Sequence, residues 1–288
     1  MAADSAVGVF DSGIGGLSVL RHIRTQLPHE HLLYFADAGF APYGDKPEDV
    51  IVARALAIAE FLVERGAKAL VVACNTATAA AIEALRASYP AMPVVGVEPG
   101  LKPAAALTRI KTVGVLATDR TLASARFNLL REQIGAATGV RFVTQACIGL
   151  ADQVEKGELQ SAATALLVQR YVAPLIAQGA DTLVLGCTHY PFVQPLIAQA
   201  AMRAGKSPIT IVDTGEAVTR QLLRLLEQHR LQNMAGGAGT LGTFTTGSRT
   251  TLATAFATLL KLEPAIARIG IGAGLMTGKR SDKRLQPI

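Results

Sequence analysis

The chain predicts an α/β fold, with mainly parallel sheets flanked by helices, built as two related domains with a cleft between them. Three observations predict it. Short apolar runs alternate with amphipathic stretches along the 288 residues. Strand–helix alternation of this kind builds parallel sheets with right-handed crossovers. The runs are continuous in Val and Ile rather than alternating, as strands covered by helices on both faces require. Lastly, two pairs of segments repeat in the same order, which suggests two related units.

The elements follow in order. "AVGVF" (6–10), "LLYFA" (32–36), "KALVVA" (68–73) and "PVVGV" (93–97) read as strands, followed by "TVGVL" (112–116), "VRFVT" (140–144), "DTLVLG" (181–186) and "ITIVD" (209–213). Between them, "PEDVIVARALAIAEFLVERG" (47–66) reads as a helix, with Pro47 at its start, acids in its first turn and Gly66 at its end. A second helix is predicted over 159–179, where Pro174 predicts a kink or break. A third covers 216–229, and the glycine- and threonine-rich stretch 234–247 reads as a surface loop or a poor strand.

The repeat is specific. "RGAKALVVACNT" (65–76) aligns without a gap on "QGADTLVLGCTH" (178–189), and "AVGVFDSG" (6–13) on "TVGVLATD" (112–119). The separations from first glycine to cysteine are similar, 66 residues from Gly8 to Cys74 and 73 from Gly114 to Cys187.

Composition narrows the class. Half the residues are hydrophobic, 5% are aromatic and none is tryptophan, which favours helices and parallel strands over an antiparallel sandwich. No run reaches the ~18 apolar residues of a membrane span, so no membrane role is expected. The start, "MAADSAVGVF", carries an acid where a secretion signal has a basic residue. The three cysteines are widely spaced, which argues against a disulfide framework and for a cytoplasmic protein with reduced thiols. Part of the net charge of +6 sits in "GKRSDKR" (278–284), read as a solvated tail. No basic stripe with interleaved aromatics argues for nucleic acid elsewhere. Five scattered histidines and no C-x-x-C offer no metal cluster.

Ligands of open α/β sheets sit beyond the carboxyl ends of the strands. Four small, polar segments share that address: "DSGIGG", "CNTAT", "ATDRT" and "CTHYP". Each half thereby places one cysteine, Cys74 or Cys187, at a strand end. A free thiol titrates near ~8.5 and needs a partner to act at neutral pH. Asp11 can supply one for Cys74, though an aspartate there also suits an N-cap. His189, two residues after Cys187, points the same way in an extended segment. Two thiols on opposite sides of one carbon suit removal of a proton from one face and delivery from the other, which inverts a stereocentre without redox change. Packing cysteines, and a single-thiolate hydrolase using Cys187 and His189, remain open as alternatives.

These motifs resemble the glutamate racemases of the cofactor-independent aspartate/glutamate racemase superfamily. "FDSGIGGL", "APYG", "ACNTAT", "GVEPG" and "LGCTHYP" carry the resemblance, which extends from "GVFDSGIGGLSVL" to about "GTFTTGS". It implies interconversion of L- and D-glutamate, D-glutamate for peptidoglycan, no cofactor, and a homodimer. It implies that Cys74 deprotonates D-glutamate with help from Asp11, and Cys187 deprotonates L-glutamate with help from His189. Glu155 falls on a further catalytic position. Ser12, Pro42, Tyr43, Gly44, Asn75, Thr76, Thr118, Thr121 and Thr188 fall on substrate-binding positions, which Asp11 shares. Cys147 is given a structural place; Ile148 follows it where many relatives carry proline. The implied domains are 1–97 plus 210–270, an inserted 98–209, and a tail at 271–288. Aspartate racemase, a related cysteine-dependent isomerase, and a non-catalytic glutamate-binding protein stand as the other readings.

Overall fold

The computed structural model describes residues 2–205 and 208–271. The basic run at 278–284 and all of the expected tail except Ile271 lie outside the described residues. The chain begins with β1 (Ala6–Asp11), α1 (Leu17–Gln26), β2 (Leu32–Ala36), α2 (Glu48–Glu64), β3 (Ala67–Val72), α3 (Asn75–Ser88) and β4 (Val94–Gly96). It continues through α4 (Leu101–Leu107), β5 (Thr112–Ala117), α5 (Asp119–Ala123), α6 (Ala125–Thr138), β6 (Arg141–Ala146), α7 (Leu150–Glu155), α8 (Ala162–Ala177) and β7 (Thr182–Gly186). A 3-10 turn (Tyr190–Val193) leads into α9 (Gln194–Ala204), β8 (Thr210–Val212), α10 (Gly215–Gln228), β9 (Leu241–Thr245), α11 (Arg249–Ala255), a π turn (Phe256–Leu260) and β10 (Ile266–Arg268). Among the described residues no helix is long and apolar enough to cross a membrane.

Two sheets result, and every strand pair in them is parallel. The first runs β10-β9-β2-β1-β3-β4 and the second β6-β5-β7-β8. The segment β2-β1-β3-β4 of the first has the same order as the whole of the second, so the sequence repeat is also a repeat of topology. The register agrees as well: Gly8 lies opposite Leu70 in one sheet and Gly114 opposite Leu183 in the other. Each glycine leaves room for that leucine and for a leucine of the covering helix, Leu62 in α2 and Leu175 in α8. A Cβ on Gly114 would stand 2.7 Å from Leu183 Cδ2.

The core follows from strand alternation. In β1, Val7 and Val9 enter one apolar cluster and Phe10 enters another, beneath α2 and α3. In β7, Leu183 and Leu185 join the same cluster as Val7, while Val184 packs with Leu101 and Phe127. One continuous core therefore runs through both sheets, with α1, α10, α8 and α9 contributing to it.

All eight sequence-read strands form, with ends shifted by a residue or two. Two features differ, and a stretch left open between loop and strand is resolved. The expected return to the first unit at residue 210 falls on β8, which hydrogen-bonds to β7, so the second sheet keeps the chain through Val212. Helix α8 runs unbroken through Pro174 to Ala177; the proline sits in the last turn, and Val172 and Leu175 on either side stay buried in the core. The glycine- and threonine-rich stretch supplies β9, which pairs along β2 with Thr243 and Thr245 buried, and β10 then adds an edge that no sequence signal announced.

Candidate active site

Cys74 stands two residues past the end of β3, in extended backbone, and caps α3: Ala77 N–H donates to its Sγ at 3.4 Å. Ser12 Oγ lies 3.5 Å from the same sulfur. Burial, and then the nearby Asp11 carboxylate, push this thiol up to about 12. Asp11 ends β1 and is fully buried. Its Oδ2 accepts the N–H groups of Gly13 at 3.1 Å and Gly16 at 2.8 Å, so one oxygen holds the turn after β1, while the N-cap of α1 itself is Gly16. Its Oδ1 is buried without a partner. Burial raises its pKa above 3.8, and His189 opposes that shift.

Cys187 follows β7 directly, with its Sγ 3.6 Å from His189 Nδ1. The other ring nitrogen, Nε2, lies 2.6 Å from Glu155 Oε1 at the end of α7. The same oxygen accepts Ile14 N–H at 2.8 Å, reaching from the second sheet's side to the first. Burial works against a charged imidazole, but the contact with Cys187 and then that with Glu155 hold His189 well above 6.5. Burial likewise works against charge on Glu155, yet His189 brings its pKa below 4.5. The close approach explains two glycines of "DSGIGG". A Cβ on Gly13 would stand 1.9 Å from Glu155 Oε1, and one on Gly15 would stand 2.4 Å from His189 Nδ1.

Both cysteines line one cleft of about 570 Å³. Ser12, Asn75 and Thr76 border it from the first sheet, and Thr118 and Thr188 from the second, beside His189 and Glu155. Pro42, Tyr43 and Gly44 form a further wall. Asn75 donates to Val97 O at 3.3 Å and leaves its buried Oδ1 without a partner. Thr76 and Thr118 hydroxyls meet across the two halves at 3.3 Å. Two expected residues stand back from the lining: Asp11 behind Ser12, and Thr121, whose hydroxyl accepts from Thr118 at 2.9 Å. Cys147, given only a structural place above, is buried but also borders the cleft.

Sequence reasoning missed the groups that hold these residues. Ser18 Oγ is 2.8 Å from both Gly15 O and Thr188 O. Its one signal was a hydroxyl on an otherwise apolar helix face. Arg120 Nε donates to Gly44 O at 2.8 Å across the cleft.

A pair of parallel sheets with a thiol at each matching strand end defines a class. Residues 7–222 match the family model described as Asp/Glu/Hydantoin racemase, and the chain belongs to that family. Relatives within it include glutamate racemases. The chain is 55% identical over 229 residues to the glutamate racemase of Ectopseudomonas mendocina, covering 80% of this chain and 85% of that one. The crystal structure of a glutamate racemase isoform from Bacillus anthracis superposes with a TM-score of 0.81 at 30% identity, over 93% of this chain and 98% of that one. The Francisella tularensis glutamate racemase, solved in complex with D-glutamate, gives 0.81 at 26% identity, over 94% and 100%.

Proposed function

We propose that this chain interconverts L- and D-glutamate without a cofactor, by two-base proton transfer between Cys74 and Cys187. The observation that carries the reading is that two thiols, from matching strand ends of a repeated unit, border one cleft with unlike proton partners. With L-glutamate bound, Cys187 as thiolate takes the Cα hydrogen, and the electron pair of that bond delocalises into the α-carboxylate. Cys74 then delivers its own proton to the other face of Cα. Cys187 ends as thiol and Cys74 as thiolate, and D-glutamate reverses the roles. Nothing is oxidised or reduced.

The surroundings of the two sulfurs suit this exchange. Burial keeps Cys74 protonated and ready to donate. His189 Nδ1 stands 3.6 Å from the Cys187 sulfur, within reach to exchange a proton with it. The unpartnered Oδ1 of Asn75 can accept from the substrate ammonium. The hydroxyls of Ser12, Thr76, Thr118 and Thr188, with the free N–H groups at the strand ends, can hold the two carboxylates. Holding Cα between both sulfurs makes each transfer effectively unimolecular.

On this reading the units are the first sheet with its helices and an inserted second-sheet unit. The protein works in the cytoplasm as a homodimer and supplies D-glutamate for peptidoglycan. The decisive test is circular dichroism of either glutamate enantiomer with cofactor-free enzyme. Wild type should bring both to the racemate, and Cys74→Ala and Cys187→Ala should each abolish inversion. In heavy water, early product should carry deuterium at Cα while remaining substrate stays protiated. Near-native turnover in either cysteine variant would sink the two-thiol mechanism.

A further inference from the structure

The wall formed by Pro42, Tyr43 and Gly44 belongs to residues 37–47, a connection between β2 and α2 with no helix or strand of its own. Regular backbone hydrogen bonding does not fix its shape. Side chains do. Asp37, fully buried, follows the end of β2, beside Asp11 at the end of β1: its N–H donates to Asp11 O at 2.9 Å. Its Oδ2 accepts Tyr43 O–H and Arg54 Nε, each at 2.7 Å. Its Oδ1 accepts Arg54 Nη2 and Thr246 Oγ1, also at 2.7 Å. Thr246 Oγ1 in turn accepts Gly39 N–H at 3.0 Å. Arg54 spends its remaining nitrogen, Nη1, on Ile271 O at 2.9 Å, and its guanidinium lies 4.8 Å from the Phe40 ring centroid. Phe40 meets Tyr43 edge-to-face.

We infer that Arg54, acting through Asp37, is a positioning residue that sets the Pro42–Gly44 wall at the distance the bound amino acid requires. Neither Arg54 nor Asp37 borders the cleft; both act through Tyr43. A bidentate arginine–carboxylate pair fixes direction as well as distance. Here it ties one wall of the cleft to α2, to the end of β9 and to Ile271. The inference rests on the reading of the cleft as a glutamate site.

The experiment measures racemisation of both enantiomers by Arg54→Met, Arg54→Lys and Thr246→Val against wild type. On the glutamate reading the wall holds the substrate and carries no proton in the exchange, so its displacement weakens binding more than proton transfer. Arg54→Met should raise KM for L- and D-glutamate alike by about tenfold or more, with a smaller loss in kcat. Arg54→Lys keeps the charge but not the fork and should fall between Arg54→Met and wild type. Thr246→Val removes one bond to Asp37 and should raise KM about two- to threefold. A purely structural arginine would lower the melting temperature and the active fraction while the folded remainder kept the native KM. Native KM in folded Arg54→Met overturns the inference. If that variant does not fold, native KM in both Arg54→Lys and Thr246→Val overturns it. Wild type is the separate control for the cleft itself: if it fails to invert glutamate, the functional reading falls and takes this inference with it.

Discussion

His189 faces a sulfur with one nitrogen and a carboxylate with the other, and that arrangement governs its charge. Against the cost of burial, the contact with Cys187 and then that with Glu155 hold the ring protonated to well above 6.5. Glu155→Gln removes the charge and should let the imidazole titrate closer to its ordinary range. The loss of kcat as pH rises should then begin at lower pH than in wild type, with kcat at neutral pH reduced about tenfold. A kcat–pH profile of both enzymes checks this; superimposable profiles refute the coupling. The stability consequence has a definite sign. The folded pKa of Glu155 lies below 4.5, so its share of the pair is complete above 4.5 and is lost as pH falls through the lowered value. The share of His189, whose folded pKa is raised, is complete below 6.5 and is lost as pH rises through the raised value.

At the scale of elements, the loop after β1 is constrained from both halves of the molecule. It supplies Ser12 to one thiol, just after Asp11 at the end of β1, and its Ile14 N–H holds the carboxylate that serves the other. Gly13→Ala places a methyl group where Glu155 Oε1 now stands. A displacement of ~1 Å near reacting groups costs about a hundredfold in rate, so kcat should fall by that order while far-UV circular dichroism stays native. Retention of activity would mean that the Glu155 contact is dispensable. This loop also marks what the sequence could and could not tell. The strands were legible because parallel strands covered on both faces are continuous apolar runs, and the thiols because each ends such a run. The meeting of Glu155 with His189 depends on how α7 packs against the turn after β7, which no local pattern encodes. Asp37 and Arg54 were silent for the same reason. Strand β9 was obscured by its glycines and threonines, whose strand character comes from burial against β2 rather than from propensity.

At the scale of the whole molecule, the end remote from the cleft carries a buried ion pair. Lys68 Nζ lies 2.6 Å from Glu30 Oε2, with both side chains almost fully enclosed. Lys68 also donates to Ala3 O, and Glu30 Oε1 accepts Asn233 N–H at 2.7 Å. The pair thus joins the chain start, β3 and the connections that lead into β2 and β9. Lys68→Met leaves a carboxylate buried alone, which costs about 3–5 kcal/mol. Denaturant unfolding should show that loss as an earlier midpoint, while KM for glutamate in the surviving folded enzyme stays unchanged. An unshifted midpoint would show that the charge finds water or another partner.

The halves that repeat in topology do not repeat in chemistry: Cys74 has Ser12 and Asp11 nearby, while Cys187 has His189 and Glu155. The two hands of an amino acid have equal free energy in an achiral solvent. Their equilibrium constant is therefore unity, and kcat/KM must be the same from either side whatever the scaffold. Unequal sulfur partners cannot bias the final mixture; they can only divide a shared efficiency differently between saturation and turnover for each enantiomer. The lopsidedness of this frame is thus free to serve affinity, letting the scarcer hand bind tightly and turn over slowly while the abundant one does the reverse.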